Sequence, residues 1–216
     1  MILVKPSAEI IHITTEALQL IEGAGRTCYK SEDKITADSA PRFAGMILKR
    51  GHESVIEHAA ATVRIVCDRG VTHEIVRHRL ASYSQESTRY CNYRGGVAFV
   101  IPAWVEFLSP GEYDRNSFGL VNEAASEWFH QMLAAEETYQ RLLSLGWKPE
   151  QARSVLPNSL KTEIVMTANL REWRHFFRLR TSTAAHPQMR EVAVPLLAEF
   201  KSRVPVVFDD LVGEAF

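Results

Sequence analysis

The spacing of apolar residues divides this chain into strands and helices in mixed order. Short apolar stretches at 2–4 and 10–13 predict two strands, and alternation over 59–67 and 161–167 predicts two more. Three- and four-residue apolar steps predict helices over 37–50, 71–80, 117–145, 170–180 and 188–203, and a short helix from Pro149 that ends before Pro157. Because there is no regular βαβ alternation, we expect an α+β fold in a single domain over residues 1–216.

Glycines mark the ends of two of these helices. Gly51 follows the helix at 37–50, and Gly146 follows the long helix at 117–145. Both fit the left-handed position that commonly closes a helix. We expect residues 51–58 to form a loop before the next strand and residues 81–94 to form a polar stretch.

Composition and cysteine spacing limit the class of protein. Hydrophobic residues make up 46% of the chain and charged residues 24%, which is typical of a globular protein. No apolar run reaches the roughly 18 residues that span a bilayer, and the N-terminal apolar stretch is too short for a signal peptide, so we expect a cytoplasmic protein with no membrane partner. Cys28, Cys67 and Cys91 are widely spaced, which favours reduced thiols over a disulfide framework or a zinc ribbon.

The basic residues are unusually rich in arginine. The chain has a net charge of −1, yet 18 of its 25 basic residues are arginines. Arginine presents a planar fork of donors that suits phosphates and carboxylates. A near-neutral balance argues against a broad nucleic-acid surface, which needs many cations to displace counterions. The composition therefore favours small anionic ligands, and we expect no nucleic-acid partner.

The polar stretch that begins at the end of the second predicted helix is the strongest candidate for a ligand site. Residues 77–90 hold three arginines, three serines, a glutamine and a threonine, so many donors fall within one segment. Such a segment can surround a phosphate-bearing ligand. The alternative is an ordinary solvated loop.

A second candidate is the helix at 170–180. At 100° per residue the polar side chains of Arg171, Arg174, His175 and Arg178 share one face, and those of Trp173, Phe176 and Phe177 share the opposite face. Arg180 falls on the aromatic face. It either caps the helix end or is buried for a partner, because an unpaired buried guanidinium is very costly.

A third cluster contains two histidines and two carboxylates, namely His52, Glu53, Glu57 and His58. The histidines are six residues apart, which does not match the H-E-x-x-H zinc helix, although on a strand they would share a face. We favour polar residues beside a cofactor and predict no metal site. The chain also lacks the glycine-rich dinucleotide and P-loop motifs and the G-x-S-x-G elbow, so side chains would have to hold any nucleotide.

The segment from Arg77 to Arg89 resembles the R-H-R-x-x-S-x-N-x-x-S-x-R signature of the flavin-dependent thymidylate synthases. Every fixed position matches, except that Ser84 stands where the signature has Asn. Further similar segments follow in the family's order: 51–54 with 57–58, 152–153 with 156–157, 169–171, 179–180 and 186–188.

This resemblance implies a homotetrameric α+β enzyme that makes dTMP from dUMP. FAD would relay electrons from NADPH, and 5,10-methylenetetrahydrofolate would give the carbon and leave as tetrahydrofolate. The expected FAD contacts are Ser54, Arg77, His78, Arg79, Gln85, Asn169, Leu170, Arg171 and His175. The expected dUMP contacts are Glu74, Ile75, Val76, Arg77, Gln85, Glu86, Ser87, Thr88, Arg89, Arg153 and Arg180, with Arg180 as the catalytic residue.

Two other classes of protein and an inactive relative stay open at this point. A metal-dependent nucleotide hydrolase would use the carboxylates and histidines of 52–58. An RNA-binding module would use the arginines, although the net charge disfavours it. An inactive member of the family could act only as a nucleotide sensor.

Overall fold

A computed structural model describes residues 1–117 and 122–213 and confirms the α+β class. Its strands are β1 (Ile2–Val4), β2 (Ser7–Ile13), β3 (Ala60–Asp68), β4 (Ala81–Gln85), β5 (Ala98–Val100), β6 (Gly111–Glu112) and β7 (Lys161–Asn169). Its α-helices are α1 (Ala17–Thr27), α2 (Ser39–Lys49), α3 (Arg69–Ile75), α4 (Glu123–Ser144), α5 (Pro149–Ala152), α6 (Leu170–Arg180) and α7 (Pro187–Arg203). Short 3-10 helices cover Glu32–Lys34, Glu53–His58 and Arg153–Val155.

Most predicted elements lie where the apolar spacing put them. The two helix-closing glycines are confirmed, with φ of 73° at Gly51 and 92° at Gly146. The expected loop at 51–58 was wrong, because Glu53–His58 forms a 3-10 helix around the fully buried Ile56. The polar stretch at 81–94 begins with a strand, β4, and α3 ends at Ile75, five residues before the predicted end.

The long helix begins later than its apolar spacing predicts. Asn122 caps the N-terminus of α4, since its side-chain oxygen accepts a hydrogen bond from the Ala125 amide. Leu120 and Val121, which were counted as helical positions, lie outside the described residues. The helix end is as predicted, because α4 stops at Ser144, just before Gly146.

By its internal contacts the chain divides into two compact units. The first consists of Met1–Ser7, Val66–Ile75 and Ser84–Ile164, and the second of Ala8–Ile65, Val76–Tyr83 and Val165–Phe216. The expectation of one domain over residues 1–216 stays a prediction. No helix in the described part of the chain has the length and apolar character needed to cross a membrane.

The first unit contains a three-stranded sheet packed with α4. The strand order is β5-β1-β6, with β1 parallel to β5 and antiparallel to β6. Phe99 from the sheet and Phe129 and Tyr139 from α4 are fully buried in one apolar cluster. The N-terminal ammonium of Met1 lies 2.7 Å from Glu136 of α4, so the chain start is fixed by charge as well as by packing.

The second unit has an aromatic core that holds α6. Trp173, Phe176 and Phe177 of this helix are fully buried with Phe200 and Phe208, and neighbouring rings lie 5.0 to 5.8 Å apart. The Trp173 indole N–H donates to the Ala61 carbonyl oxygen over 3.1 Å, so its polar atom is satisfied. The aromatic face predicted for this helix is thus confirmed as a core face.

A four-stranded sheet has the order β2-β3-β7-β4. Strand β7 leads directly into α6, because Asn169 ends the strand and caps the helix. Its Oδ1 accepts from the Glu172 amide over 2.9 Å. This cap fixes where the polar side chains of α6 begin.

Candidate active site

One side of α6 and a buried histidine form a hydrogen-bonded chain. His78 is buried, with 2% of its side chain exposed. Its Nδ1 lies 3.1 Å from Glu172 Oε1, and the Nε–H of Arg180 donates to its Nε2 over 3.2 Å. The polar atoms of all three side chains are therefore arranged in series, from carboxylate to imidazole to guanidinium.

This chain sets the protonation state of His78. Arginine can only donate, so Nε2 must accept and the ring proton must lie on Nδ1. Burial lowers the pKa of His78, and the charges of Arg180 and His175 lower it further, against the opposing effect of Glu172. The imidazole is thus neutral near pH 7, with its proton directed at Glu172.

A cavity of about 740 Å³ lies along the polar face of α6. Asn169, Arg171 and His175, three of the expected FAD contacts, line it together with Glu172. Its size is within the roughly 300–1,000 Å³ common for ligand pockets. The structure therefore brings one group of predicted ligand residues to a single cavity.

Two carboxylates of the Glu53–His58 segment form ion pairs with arginines at this cavity. The Arg178 guanidinium donates to Glu53 over 2.6 Å, and that of Arg171 donates to Glu57 over 2.5 Å. The hydrogen bond from Arg178 holds the pKa of Glu53 below its usual range although burial opposes the shift. These ion pairs occupy both carboxylates that a metal site at 52–58 would need.

Arg174 stabilises the fold from a buried position, although the helical projection places it on the polar face of α6. Its side chain is 2% exposed and donates twice to Asp210, over 2.6 and 2.7 Å, and once to the Val207 carbonyl oxygen. The segment after α7 thus covers one arginine of the predicted ligand face. A helical projection could not predict this burial, because it describes only the residues of one helix.

The Glu53 ion pairs predict an acid-dependent loss of stability. Because the pKa of Glu53 is lowered in the folded protein, its pairing stabilises fully above its ordinary value of 4.5 and is lost as pH falls below it. We expect Glu53→Gln to have a lower urea midpoint than the wild type at pH 7 and a shallower decline between about pH 5 and pH 3. Urea unfolding at several pH values measures both effects.

Glu199→Gln is the control for this measurement. Glu199 forms an exposed helical pair with Arg203 over 3.3 Å, and such a pair contributes little to stability. We expect its urea midpoints to follow those of the wild type. Parallel pH profiles for Glu53→Gln and wild type would contradict the role given to Glu53.

In the first unit, Glu86 organises a second polar cluster. Its carboxylate accepts from the Tyr93 hydroxyl over 2.7 Å and from Lys161 over 3.2 Å, and Lys161 also donates to Glu163 over 2.6 Å. Burial opposes the charge of Lys161, but the two carboxylates together raise its pKa. Burial and Glu86 both raise the pKa of Tyr93, which therefore stays a donor. Glu86 thus holds a cation and a phenol in place.

Other expected dUMP contacts lie in the same unit. Gln85 donates through Nε2 to the hydroxyls of Thr72 and Thr162, over 3.1 and 3.3 Å. Arg153 donates to the buried Thr88 hydroxyl over 3.0 Å. These hydrogen bonds fix the orientations of the Gln85 amide and the Arg153 guanidinium.

Sequence reasoning missed three residues of this unit. The sequence pattern places Lys161 in a strand and Tyr93 in a polar stretch, and it indicates no role for Arg69. The Nη1 of Arg69 is buried and has no hydrogen-bond partner among the described residues. A single arginine after a strand forms no sequence pattern that could identify such a residue. Its buried donor without a partner is visible only in the structure.

Several expected contacts stand apart from these clusters. Ser54 lines another cavity, of about 530 Å³, with the basic residues Arg26 and Arg50. Leu170 and Ile75 are fully buried, and neither exposes an atom to a ligand in this structure. The remaining expected contacts are at least partly exposed, namely Glu74, Val76, Arg77, Arg79, Ser87 and Arg89.

His78, Glu172 and His175 also have the spacing of metal ligands, with candidate ligand atoms within 4.8 Å of one another. Both nitrogens of His78 are already engaged, by Glu172 and Arg180. The trio as it stands is a hydrogen-bonded network, and the absence of a metal stays a prediction.

Comparison with protein families finds a match over most of the chain. A family described as "Thymidylate synthase complementing protein" matches residues 9–206. The flavin-dependent thymidylate synthase of Geobacter sulfurreducens is 39% identical over 195 residues, covering 87% of this chain and 78% of that protein. That of Pyrococcus horikoshii is 36% identical over 204 residues, covering 90% and 79%.

A solved structure is similar in fold. The crystal structure of a UMP/dUMP methylase, PolB from Streptomyces cacaoi, bound with 5-Br dUMP, superposes with a TM-score of 0.77 at 26% identity. The match covers 97% of this chain and 96% of that chain.

Proposed function

We propose roles for the residues above on the premise that this chain belongs to the flavin-dependent thymidylate synthase family. The protein is a methyltransferase that converts dUMP to dTMP, and FAD is its cofactor. One observation carries the residue roles: Arg171 and His175 of α6 and its capping residue Asn169 line a single cavity of about 740 Å³.

FAD would be held by Ser54, the Arg77-His78-Arg79 run, Gln85, 169–171 and His175. The cavity along α6 fits such a ligand, because cationic and amide donors line it and its carboxylates already have partners: Glu53 and Glu57 bind arginines, and Glu172 binds His78. FAD when bound supplies the redox chemistry, and the protein binds and orients it. Arg171 would exchange Glu57 for an anionic group of the cofactor.

The substrate dUMP would be held by 74–77, 85–89, Arg153 and Arg180. Arg153 and Arg89 suit its phosphate, and Ser87 suits its sugar. The buried, unpartnered Nη1 of Arg69 makes this residue a further candidate for the phosphate. Lys161 would keep the Glu86 carboxylate from repelling an anionic ligand.

Arg180 would act on the uracil ring. Carbon 5 of uracil is unreactive, and adding electron density there places negative charge on the N3, O2 and O4 edge. A guanidinium fixed beforehand by His78 stabilises that charge without first having to reorganise. It stays protonated throughout, so it cannot be the base.

The same family assignment supports our proposals for the co-substrates, assembly and location. NADPH would reduce the FAD, and 5,10-methylenetetrahydrofolate would give the carbon and leave as tetrahydrofolate. The protein would act as a cytoplasmic homotetramer with no nucleic-acid or membrane partner. The near-zero net charge supports the expectation of small ligands only.

Flavin content and tritium release test this function together. We expect the purified protein to be yellow and to release tritium from dUMP labelled at C5 only when NADPH and 5,10-methylenetetrahydrofolate are both present. Colourless protein that binds no added FAD would overturn the cofactor assignment. Stoichiometric zinc without flavin absorbance would favour a metal-dependent hydrolase instead.

A further inference from the structure

We infer that Glu172 is a positioning residue that acts through His78 to aim Arg180. The inference rests on the proposed role of Arg180 at the uracil ring. Glu172 was given no role by its sequence pattern, and it lies eight residues before Arg180 on the same helix.

The geometry of α6 places both residues against one imidazole. Glu172, Phe176 and Arg180 follow at four-residue steps, so they form a stripe along one side of the helix. His78 lies against this stripe. Its ring centroid is 5.0 Å from that of Phe176, while its two nitrogens are bonded to Glu172 and Arg180.

Glu172 selects the tautomer that can hold Arg180. A carboxylate can only accept, so a proton on Nδ1 satisfies Glu172 and leaves the lone pair of Nε2 for the arginine. The opposite tautomer would set the Nε2–H against the Nε–H of Arg180. These two donors would repel, and the guanidinium would turn away.

The position of His78 itself does not depend on Glu172. The Tyr83 hydroxyl donates to the His78 carbonyl oxygen over 2.6 Å, and the His175 ring packs edge-on at 5.4 Å. The Phe176 ring packs against the imidazole at a tilt of 59°. Removing the carboxylate should therefore weaken the preference of His78 for the Nδ1-protonated tautomer, which only Arg180 would then favour, and leave the place of the ring in the fold unchanged.

Two substitutions at position 172 separate these effects. Glu172→Ala removes the acceptor, whereas Glu172→Gln keeps an oxygen that can accept from Nδ1–H. For Glu172→Ala we expect the kcat of tritium release to fall roughly 10- to 100-fold, by analogy with the loss of a hydrogen-bond partner that orients a metal-ligating histidine. We expect Glu172→Gln to keep most of the wild-type kcat, and FAD content to be unchanged in both.

The tautomer can be observed without turnover. In the wild-type protein labelled with ¹⁵N-histidine, NMR should show His78 protonated on Nδ1 and bare on Nε2. The resonance is assigned by its loss in His78→Gln. In Glu172→Ala the Nδ1-protonated signal should diminish, and in Glu172→Gln it should persist.

A double-mutant cycle distinguishes the inference from the role of Arg180. If Glu172 acts through Arg180, the variant carrying both Glu172→Ala and Arg180→Ala should be no slower than Arg180→Ala alone. Full activity of Arg180→Ala would overturn the proposed function of that residue. An inactive Arg180→Ala beside a fully active Glu172→Ala would overturn only the positioning role.

Asp210→Ala is the matched control. Asp210 also grips an arginine of α6, but that arginine is the buried Arg174. We expect this variant to lose stability while its folded fraction keeps the wild-type kcat. The positioning role would be overturned by loss of FAD from Glu172→Ala, by equal defects in the Ala and Gln variants, or by a further loss in the double mutant.

Discussion

Arg180→Ala is expected to lose tritium release from dUMP while keeping its flavin. Removal of one preorganised donor from a site of developing negative charge lowers kcat by about 10²- to 10³-fold. The bound flavin should be retained because the residues expected to hold FAD do not include Arg180. Tritium release at saturating dUMP measures the loss, and the visible absorbance spectrum measures the flavin.

Two further arginine variants define what the site requires. Arg180→Lys keeps the positive charge but loses the planar fork and the Nε–H that His78 accepts, so we expect it to recover only part of the activity. Arg203→Ala removes an exposed arginine at the end of α7 and should leave turnover unchanged. Undiminished turnover in Arg180→Ala would contradict its catalytic role.

The position of Arg180 on its helix could be predicted, but its partner could not. The apolar spacing predicts a helix over 170–180, which the structure confirms at Leu170–Arg180. The helical projection also places Arg180 on the aromatic side, next to Phe176. His78 lies 102 residues away, and periodicity along one element contains no information about contacts between elements.

The same limit explains the other differences between expectation and structure. Arg174 shares a projected face with Arg171, yet the chain after α7 buries it against Asp210. Glu53 was considered as a metal ligand, and three-dimensional packing instead directs Arg178 at it. Local patterns define where elements and polar faces lie, whereas the choice of partner depends on tertiary contacts.

The excess of arginine therefore has two physical uses. On α6, Arg171 and Arg178 are held by surface carboxylates at the edge of a cavity, where an anionic ligand can compete for them. Arg174 is buried and pairs within the fold, where its loss would leave Asp210 without its cation. Only the arginines at the cavity edge can bind a ligand directly. The number of arginines in the sequence therefore overestimates the number that bind ligands.

Phe177→Ala is expected to have the largest effect on stability. Phe177 is fully buried, and its ring contacts those of Trp173, Phe176, Phe200 and Phe208, with centroids 5.1 to 5.8 Å away. Truncating such a side chain leaves a cavity and costs about 3–5 kcal/mol. For a chain of this length that lowers the melting temperature by roughly 6–20 °C. Thermal unfolding at a fixed excess of FAD measures the change, because a bound ligand also shifts the midpoint.

Phe177→Leu is the control that separates volume from aromatic shape. Leucine fills much of the space, so we expect a loss of about 1.5 kcal/mol or less. Since α6 presents Asn169, Arg171 and His175 to its cavity, Phe177→Ala should lose FAD in step with unfolding, and below its own transition it should bind FAD as the wild type does. A normal melting temperature for Phe177→Ala would show that the aromatic cluster does not hold this helix. A loss of FAD well below the transition would show that the cluster sets the local geometry of the site as well as its stability.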